Sequence, residues 1–336
     1  MSYKDKIFHH TPIADKTVLV TGGAGFVGSH IVEYLLAHNV KHVRVIDNFA
    51  NGKRENVELF KHYPNFEFIE GDIRDADACM QWCKGVDMVC HQAALGSVPR
   101  SIKTPLATNS VNVDGYLNIL VAAKDNGVKR IVYASSSSVY GDHPALPKIE
   151  ENIGKQLSPY AVSKYTNELY QGVFADIYGM EIIGLRYFNI FGPRQDPFGP
   201  YAAVIPLFTL SMLKGEAPFI NGDGKQTRDF TFVENAVQAN IRALTTPNTE
   251  ALGKVYNIAV GENFTVLEMF DVIAKSIGTD MTPQFRDTRA GDVRDSLADI
   301  SKARTLFGYN PEVRFKEGVE KTVAYFKSIA IPAEQK

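Results

Sequence analysis

The run TGGAGFVG, residues 21–28, carries glycines at 22, 25 and 28. It joins the apolar segment TVLVTGG (17–23) to FVGSHIVEYLLAHN (26–39), whose apolar residues recur at helical spacing. A strand that enters a helix through three spaced glycines leaves few folds open. Gly22 permits a tight turn, Gly25 lets a ligand's phosphates approach the backbone, and Gly28 lets the helix pack on the strand. The helix N-terminus, beginning at Phe26 and Val27, then offers free N–H groups to an anion. The context predicts a phosphate-cradling turn at the head of a parallel sheet.

The rest of the chain repeats this alternation. HVRVIDN (42–48), FEFIEGD (66–72), VDMVCHQA (86–93), RIVYASS (130–136), EIIGLRYFN (181–189) and KVYNIAV (254–260) are short apolar runs rich in β-branched and aromatic residues, and read as buried strands. Helical stretches such as YLNILVAAKDNG (116–127) lie between several of them. Alternating β and α segments imply a doubly wound α/β fold with a parallel sheet covered on both faces. After residue 190 the chain turns rich in Pro and Gly (FGPRQDPFGPYAAVIP), which suits a smaller substrate-binding lobe. The expected division is a nucleotide-binding domain over 1–190, with about 230–260 returning to it, and a lobe made from 191–229 and 261–336.

Asp47 closes the second predicted strand, where a carboxylate accepts both ribose hydroxyls of NAD and repels the extra phosphate of NADP. NAD is therefore the expected cofactor. A formal net charge of -2 gives no basic excess with which to neutralise nucleic-acid or anionic lipid phosphates. No apolar run reaches membrane-spanning length and the first residues lack a signal-peptide core, so the expected location is the cytoplasm. Cys79, Cys83 and Cys90 match no common zinc spacing and read as buried, reduced thiols; no metal is expected. His9 and His10 fall in a polar leader expected to be poorly ordered.

Four serines, Ser135 to Ser138, end the strand RIVYASS. Such a string is either a polar turn or an active-site edge, since ligands of open α/β sheets sit beyond the carboxyl ends of the strands. SPYAVSKYTNELY (158–170) decides for the edge, because Tyr160 and Lys164 stand one helical turn apart and share a face. A phenol with an ordinary pKa near 10 needs help to act as a base near neutrality. A neighbouring ammonium and a positively charged nicotinamide favour the phenolate, and Ser136 can hold a substrate hydroxyl beside it.

At these residues the chain resembles the extended short-chain dehydrogenase/reductase family. HQAALGSVPRS (91–101), SPYAVSKY (158–165), GLRYFNIFGPRQDP (184–197), INGDG (220–224) with TRDF (227–230), and GDVRDSLADISKA (291–303) resemble its UDP-N-acetylglucosamine 4-epimerases of bacterial surface-polysaccharide pathways. The resemblance implies a seven-stranded Rossmann domain, bound NAD, a UDP-sugar lobe and a homodimer. It implies that Asp47, Asn48, Asn51 and Gly52 meet the adenosine ribose, and Asp72 and Ile73 the adenine. Gln92, Ala93, Ala94, Asn112 and Tyr187 complete the cofactor set, with Tyr187 near the nicotinamide. Asn189, Arg228 and Arg289 are implied at the UDP diphosphate. Gly96, Ser97, Ser137, Ser138, Gln195, Val204, Phe219, Asn221 and Asp292 are implied around the rest of the substrate. Ala203, Gly96 and Ser296 are small where relatives carry bulkier side chains, which leaves room for an acetamido group.

Dehydratases of this superfamily place an Asp–Glu pair after the catalytic hydroxyl residue, and related decarboxylases a Glu. Here Ser137 and Ser138 stand there. Without an acid poised for elimination, a 4-keto sugar is simply reduced again, on either face. The expected activity is reversible 4-epimerisation of UDP-N-acetylglucosamine. The alternatives are a 4-epimerase of the corresponding uronate, a dehydratase or decarboxylase, and a non-catalytic NAD sensor.

Overall fold

A computed structural model describes residues 3–198, 202–287 and 294–330. Seven parallel strands form the central sheet: β1 (Thr17–Thr21), β2 (His42–Asp47), β3 (Phe66–Glu70), β4 (Met88–His91), β5 (Arg130–Ser136), β6 (Glu181–Tyr187) and β7 (Val255–Ile258). Their spatial order is β7-β6-β5-β4-β1-β2-β3. The chain winds outward from β1 in one direction and from β4 in the other, so a crevice opens between β1 and β4, as in a Rossmann fold.

Helices α1 (Phe26–Ala37), α2 (Ala76–Trp82), α3 (Gly115–Asp125), α4 (Pro159–Tyr178), α5 (Val204–Leu213), α6 (Val233–Thr245), α7 (Val266–Ile277) and α8 (Phe315–Ala330) supply most of the covering layers. Strand residues alternate between two cores, because successive side chains point to opposite faces. Val18, Val20, Val43, Val45, Ile183 and Leu185 pack with α1 and α6. Leu19, Ile46, Val89, Ile131 and Ile182 pack with α2 and α3. A third core, built on Phe208, Phe230, Phe270, Phe315 and Val319, sits among α5, α7 and α8.

Helix α6 is buried along nearly its whole length, polar residues included. Most of those polar groups have partners, as burial demands, the buried Nε of Arg242 being an exception. Asn235 exchanges hydrogen bonds with the backbone of Val313, and Gln238 accepts from Asn310 N at 2.8 Å. Glu234 pairs with Lys6.

That last contact belongs to a correction. The leader is ordered, not loose: Tyr3, Phe8 and Ile13 are buried. The Tyr34 hydroxyl accepts from Phe8 N at 2.8 Å and lies 2.8 Å from His9 Nδ1, while His10 N donates to Thr245 Oγ1. Three apolar anchors in an otherwise polar run were enough to dock it. Most strand ends also fall short of the apolar runs; β1 stops at Thr21 because Gly22 turns at φ +70°.

Candidate active site

The carboxyl ends of β1, β2, β4, β5 and β6 border a cavity of about 710 Å³. Gly22, Gly25, Phe26, Val27 and Gly28 form one end, with Asp47, Asn48, Asn51, Gly52, Asp72 and Ile73 beside them. Gln92, Ala93, Ala94, Tyr160, Lys164 and Tyr187 line it toward the other end, with Ser136. A second cavity of about 400 Å³ is lined by Val204, Phe219, Asn221 and Arg228. Gly96, Ser97, Asn189 and Ala203 border both cavities, and Gln195 borders the first.

The glycines serve two different needs. A Cβ on Gly28 would lie 2.2 Å from Gly22 O, and one on Gly22 would lie 2.6 Å from Ala93 N, so both are demanded by internal packing. At Gly25 the only protein atom in reach is Gly22 O at 3.1 Å. Its missing side chain leaves room on the cavity side. Helix α1 starts there with no side-chain cap and no acidic residue in its first turn, so its N–H groups suit a pyrophosphate. The Asp47 carboxylate accepts from Ala24 N at 3.0 Å and Phe49 N at 2.8 Å, and its burial pushes its pKa up. Asp72 is held down at about 2 by its hydrogen bonds from Arg74, with Asn48 donating to it at 2.9 Å. The chain thus fits NAD on its own geometry.

Local sequence explains how the catalytic candidates are aimed. Ser158 caps α4 by accepting from Ala161 N at 3.1 Å, and Pro159 begins the helix with its fixed φ. Tyr160 and Lys164 follow on one face. The Tyr160 hydroxyl faces Ser136, whose hydroxyl opposes the upward push that burial exerts on the phenol's pKa. Ser136 Oγ accepts from Ser138 N at 3.2 Å and Ser138 Oγ at 3.0 Å. Its own proton is therefore left to point at Tyr160. Ser137 and Ser138 begin a 3₁₀ turn (Ser137–Tyr140) and do not line either cavity; Ser138 holds Ser136 in place. Lys164 is buried, and desolvation lowers its pKa to about 8. His91, buried behind the lysine, is pushed down to about 3 by its own burial and by Lys164.

Gln92, Tyr187 and Asn240 close a ring of hydrogen bonds. Tyr187 Oη donates to Gln92 Oε1 at 2.9 Å, Gln92 Nε2 to Asn240 Oδ1 at 3.0 Å, and Asn240 Nδ2 to Tyr187 Oη at 2.7 Å. Asn189 donates to Asp229 O at 3.0 Å from a backbone with φ +34°. Asp229 is buried and pushed up to about 7 by burial, although Val260 N, Gly261 N and Ala298 N all donate to it.

Besides Ser137 and Ser138, expected at the substrate, two further expected site residues lie off the cavity walls. Asn112 lies beneath the cavity, not on its wall. It sits in a π-helical turn (Ser110–Asp114), accepts from Leu95 N at 2.8 Å and donates to Ser163 Oγ at 3.1 Å, so it shapes the loop carrying Gly96. Ser296 is half-buried in a segment tied down on both sides but lines neither cavity. Asp295 accepts from Thr227 Oγ1 at 2.9 Å, and Lys148 N donates to Leu297 O at 2.7 Å. Arg289 and Asp292 lie outside the described residues. Sequence reading passed over Arg100, Arg194 and Arg286, which line the cavities, and Glu168, which continues the Tyr160–Lys164 face by one more turn.

Cys79, Cys83 and Cys90 are buried free thiols, each pushed up to about 12 by burial. Among the described residues no helix is long and apolar enough to cross a membrane.

Comparisons agree with this geometry. A UDP-glucose 4-epimerase of Mycolicibacterium smegmatis is 36% identical over 312 residues, spanning 92% of this chain and 98% of that protein. The solved UDP-N-acetylglucosamine 4-epimerase of Methanobrevibacter ruminantium, in complex with UDP-N-acetylmuramic acid, superposes with a TM-score of 0.89 at 42% identity, covering 94% of this chain and 99% of that one. The UDP-glucuronic acid 4-epimerase of Bacillus cereus, solved with UDP-glucuronic acid and NAD, is 32% identical with a TM-score of 0.87, covering 93% and 99%. A family model for NAD dependent epimerases and dehydratases matches residues 18–259. With the nucleotide cradle, Asp47 and the serine–tyrosine–lysine edge in one cleft, the chain belongs to the NAD dependent epimerase/dehydratase family.

Proposed function

We propose that the protein is a UDP-N-acetylglucosamine 4-epimerase, interconverting the gluco and galacto forms through a 4-keto sugar. The observation that carries this reading is the chemistry of the serine edge. Among the described residues lining the two cavities, the carboxylates are Asp47, Asp72 and Asp196. Asp47 and Asp72 belong to the adenosine end, and Asp196 pairs with Lys53 at 2.9 Å. Hydroxyls and an ammonium surround Tyr160 instead, which suits proton transfer without elimination.

In this reading Tyr160, as the phenolate, takes the proton from the sugar C4 hydroxyl while Ser136 donates to the reacting oxygen. NAD, held by Gly25, Asp47, Asp72 and Tyr187, supplies a reversible hydride acceptor at C4. Lys164 keeps positive charge beside the phenolate and so favours it. Asn189 and Arg228 hold the diphosphate, about which the keto sugar turns; Arg289 joins them. Tyr160 returns the proton when the opposite face is reduced. The family members compared share UDP-sugars but differ in the sugar, and the small residues Gly96 and Ala203, which border both cavities, support the acetamido form.

The lobe of 191–229 and 261–336 carries the UDP end, and much of the third core comes from it, although Phe230, Phe232 and Val233 of the returning segment share that core. A homodimer formed through α3 and α4 completes the proposal. Val162, Leu169, Val173 and Ile177 expose an apolar stripe along α4, and Val121 is exposed on α3. The reading assigns the enzyme to the cytoplasm and to amino-sugar supply for surface polysaccharide.

The test is incubation with UDP-N-acetylglucosamine, its uronate and UDP-glucose in separate reactions, with products resolved by NMR. Conversion of the first to its galacto epimer, without net NADH, is expected. Conversion of the uronate alone would favour the alternative substrate. Accumulation of free NADH with a carboxylated product would sink the epimerase reading.

A further inference from the structure

Tyr160, Lys164 and Glu168 occupy successive turns of one face of α4. The Glu168 side chain is only 6% exposed, and its partners come from two strands. Ser135 Oγ donates to Glu168 Oε1 at 2.6 Å. Arg186 donates Nε to Oε1 at 2.9 Å and a terminal nitrogen to Oε2 at 2.7 Å, a two-point fork. Ser135 and Arg186 are register partners across β5 and β6, as are the next residues, Ser136 and Tyr187. The carboxylate therefore grips the strand pair one residue below two groups of the candidate site.

We propose that Glu168 is a positioning residue for the Tyr160–Lys164 pair, holding α4 to the serine edge and supplying the counter-charge that keeps Lys164 an ammonium. This rests on the function proposed above.

A staple between helix and sheet could be built from apolar residues, and replacing a buried ion pair in that way is often neutral or stabilising. What apolar residues cannot supply is negative charge. Lys164 and Arg186 are both buried cations; Arg186 pairs with this carboxylate directly, and Lys164 stands one helical turn from it on the same face of α4. Desolvation pulls Lys164 down and Glu168 opposes it. The other groups facing this cluster are weak sources of charge. Tyr116 on α3 and Tyr133 on β5 are phenols pushed far up by burial, and Tyr133 donates to Gln171 at 2.6 Å. His91 on β4 is held neutral. Tyr140 lies under the Arg186 guanidinium at 4.8 Å, and Arg186 also donates to Glu150 O at 2.8 Å. The Glu150 carboxyl, whose pKa burial raises, accepts from Asn257 N at 2.9 Å.

The test reads Lys164 directly. The NAD-loaded protein is labelled with ¹³C at the lysine ε carbon and titrated by NMR, with the Lys164 signal assigned by its loss in Lys164→Met. In Glu168→Gln the Lys164 midpoint should fall by about one pH unit, and in Glu168→Asp it should return most of the way. Glu168→Gln leaves Arg186 buried without its charge partner and so endangers folding. The double variant Glu168→Gln, Arg186→Met removes both charges of the pair and should show a smaller downward shift, because loss of the guanidinium offsets part of the loss of the carboxylate. In parallel, the alkaline limb of kcat should move with the NMR midpoint while KM changes by less than about threefold. A folded single or double variant with the wild-type midpoint would overturn the proposal. Wild-type protein that turns over no UDP-hexose would instead overturn the function while leaving the NMR result to judge Glu168.

Discussion

Lys164 donates its ammonium to the carbonyl oxygen of Ala134 at 2.7 Å, fastening α4 to the carboxyl end of β5 immediately before the serines. Burial depresses its pKa to about 8, below the ordinary lysine value of 10.5. If the ammonium is the working form, it is present below that pH and lost above it. Activity of the wild type should therefore fall as pH rises through about 8, measured as kcat across pH 6 to 10. Lys164→Ala should abolish that limb, lower kcat by about 10²-fold or more and reduce the NAD that copurifies, read by absorbance after denaturation.

Tyr160→Phe removes the hydroxyl that Ser136 engages. Loss of a positioned general base costs roughly 10²–10⁴ in rate. Calorimetric affinity for UDP-N-acetylglucosamine should change only a few-fold, because the diphosphate contacts are untouched. Near-normal turnover in this variant would show that another group moves the proton.

Ser296 borders neither cavity, so only a larger side chain there could reach the sugar; if a tyrosine does, Ser296→Tyr should select against the acetylated sugar. Ser296 lies between two tethers, Asp295 to Thr227 and Leu297 to Lys148, so the segment has little freedom to retreat from a larger side chain. Overpacking costs about 1–3 kcal/mol where the surroundings cannot yield. The ratio of kcat/KM for UDP-N-acetylglucosamine over UDP-glucose should fall by at least tenfold. An unchanged ratio would show that Ser296 does not gate the sugar.

Leu169→Asp with Val173→Asp puts two charges on the exposed apolar stripe of α4. Neither side chain belongs to the buried cores, so the fold should survive. Sedimentation at micromolar concentration should change from dimer to monomer. A wild type that already sediments as a monomer removes the dimer.

Acid stability follows from two buried imidazoles. His91 is depressed to about 3, chiefly by burial, and His30 well below its ordinary 6.5, also chiefly by burial. A group whose charged form is favoured in the unfolded chain stabilises the fold above its unfolded pKa and loses that contribution as pH falls toward its folded pKa. Between pH 6.5 and pH 5 His91 should cost about 2 kcal/mol of unfolding free energy, and His30 acts in the same direction. His91→Gln should flatten the slope of stability against pH in urea titrations, whatever it does to stability at neutral pH. The same slope in wild type and variant would place the acid sensitivity elsewhere.

The strands and the first helix were legible because their signal is local. TVLVT, HVRVID and RIVYASS bury both faces, and that requirement writes continuous apolar runs into the chain. The glycine spacing and Asp47 were legible because a tight turn and a buried carboxylate leave few residue types possible. Tyr160 and Lys164 were legible because helical period alone puts them on one face. None of this could reveal that Ser138 holds Ser136, that Asn112 works beneath the wall, or that the leader docks through Tyr3 and Phe8. Glu168 is the clearest case. Its partners Ser135 and Arg186 lie 33 and 18 residues away, on strands brought side by side only by the parallel register. The sequence by itself determined the layers of the fold, the nucleotide turn and the reactive pair, since each depends on neighbours along the chain. Only the tertiary structure decided which buried polar groups meet. Their hydrogen bonds join residues distant in sequence, and desolvation makes those few pairings decisive for the charge at the site.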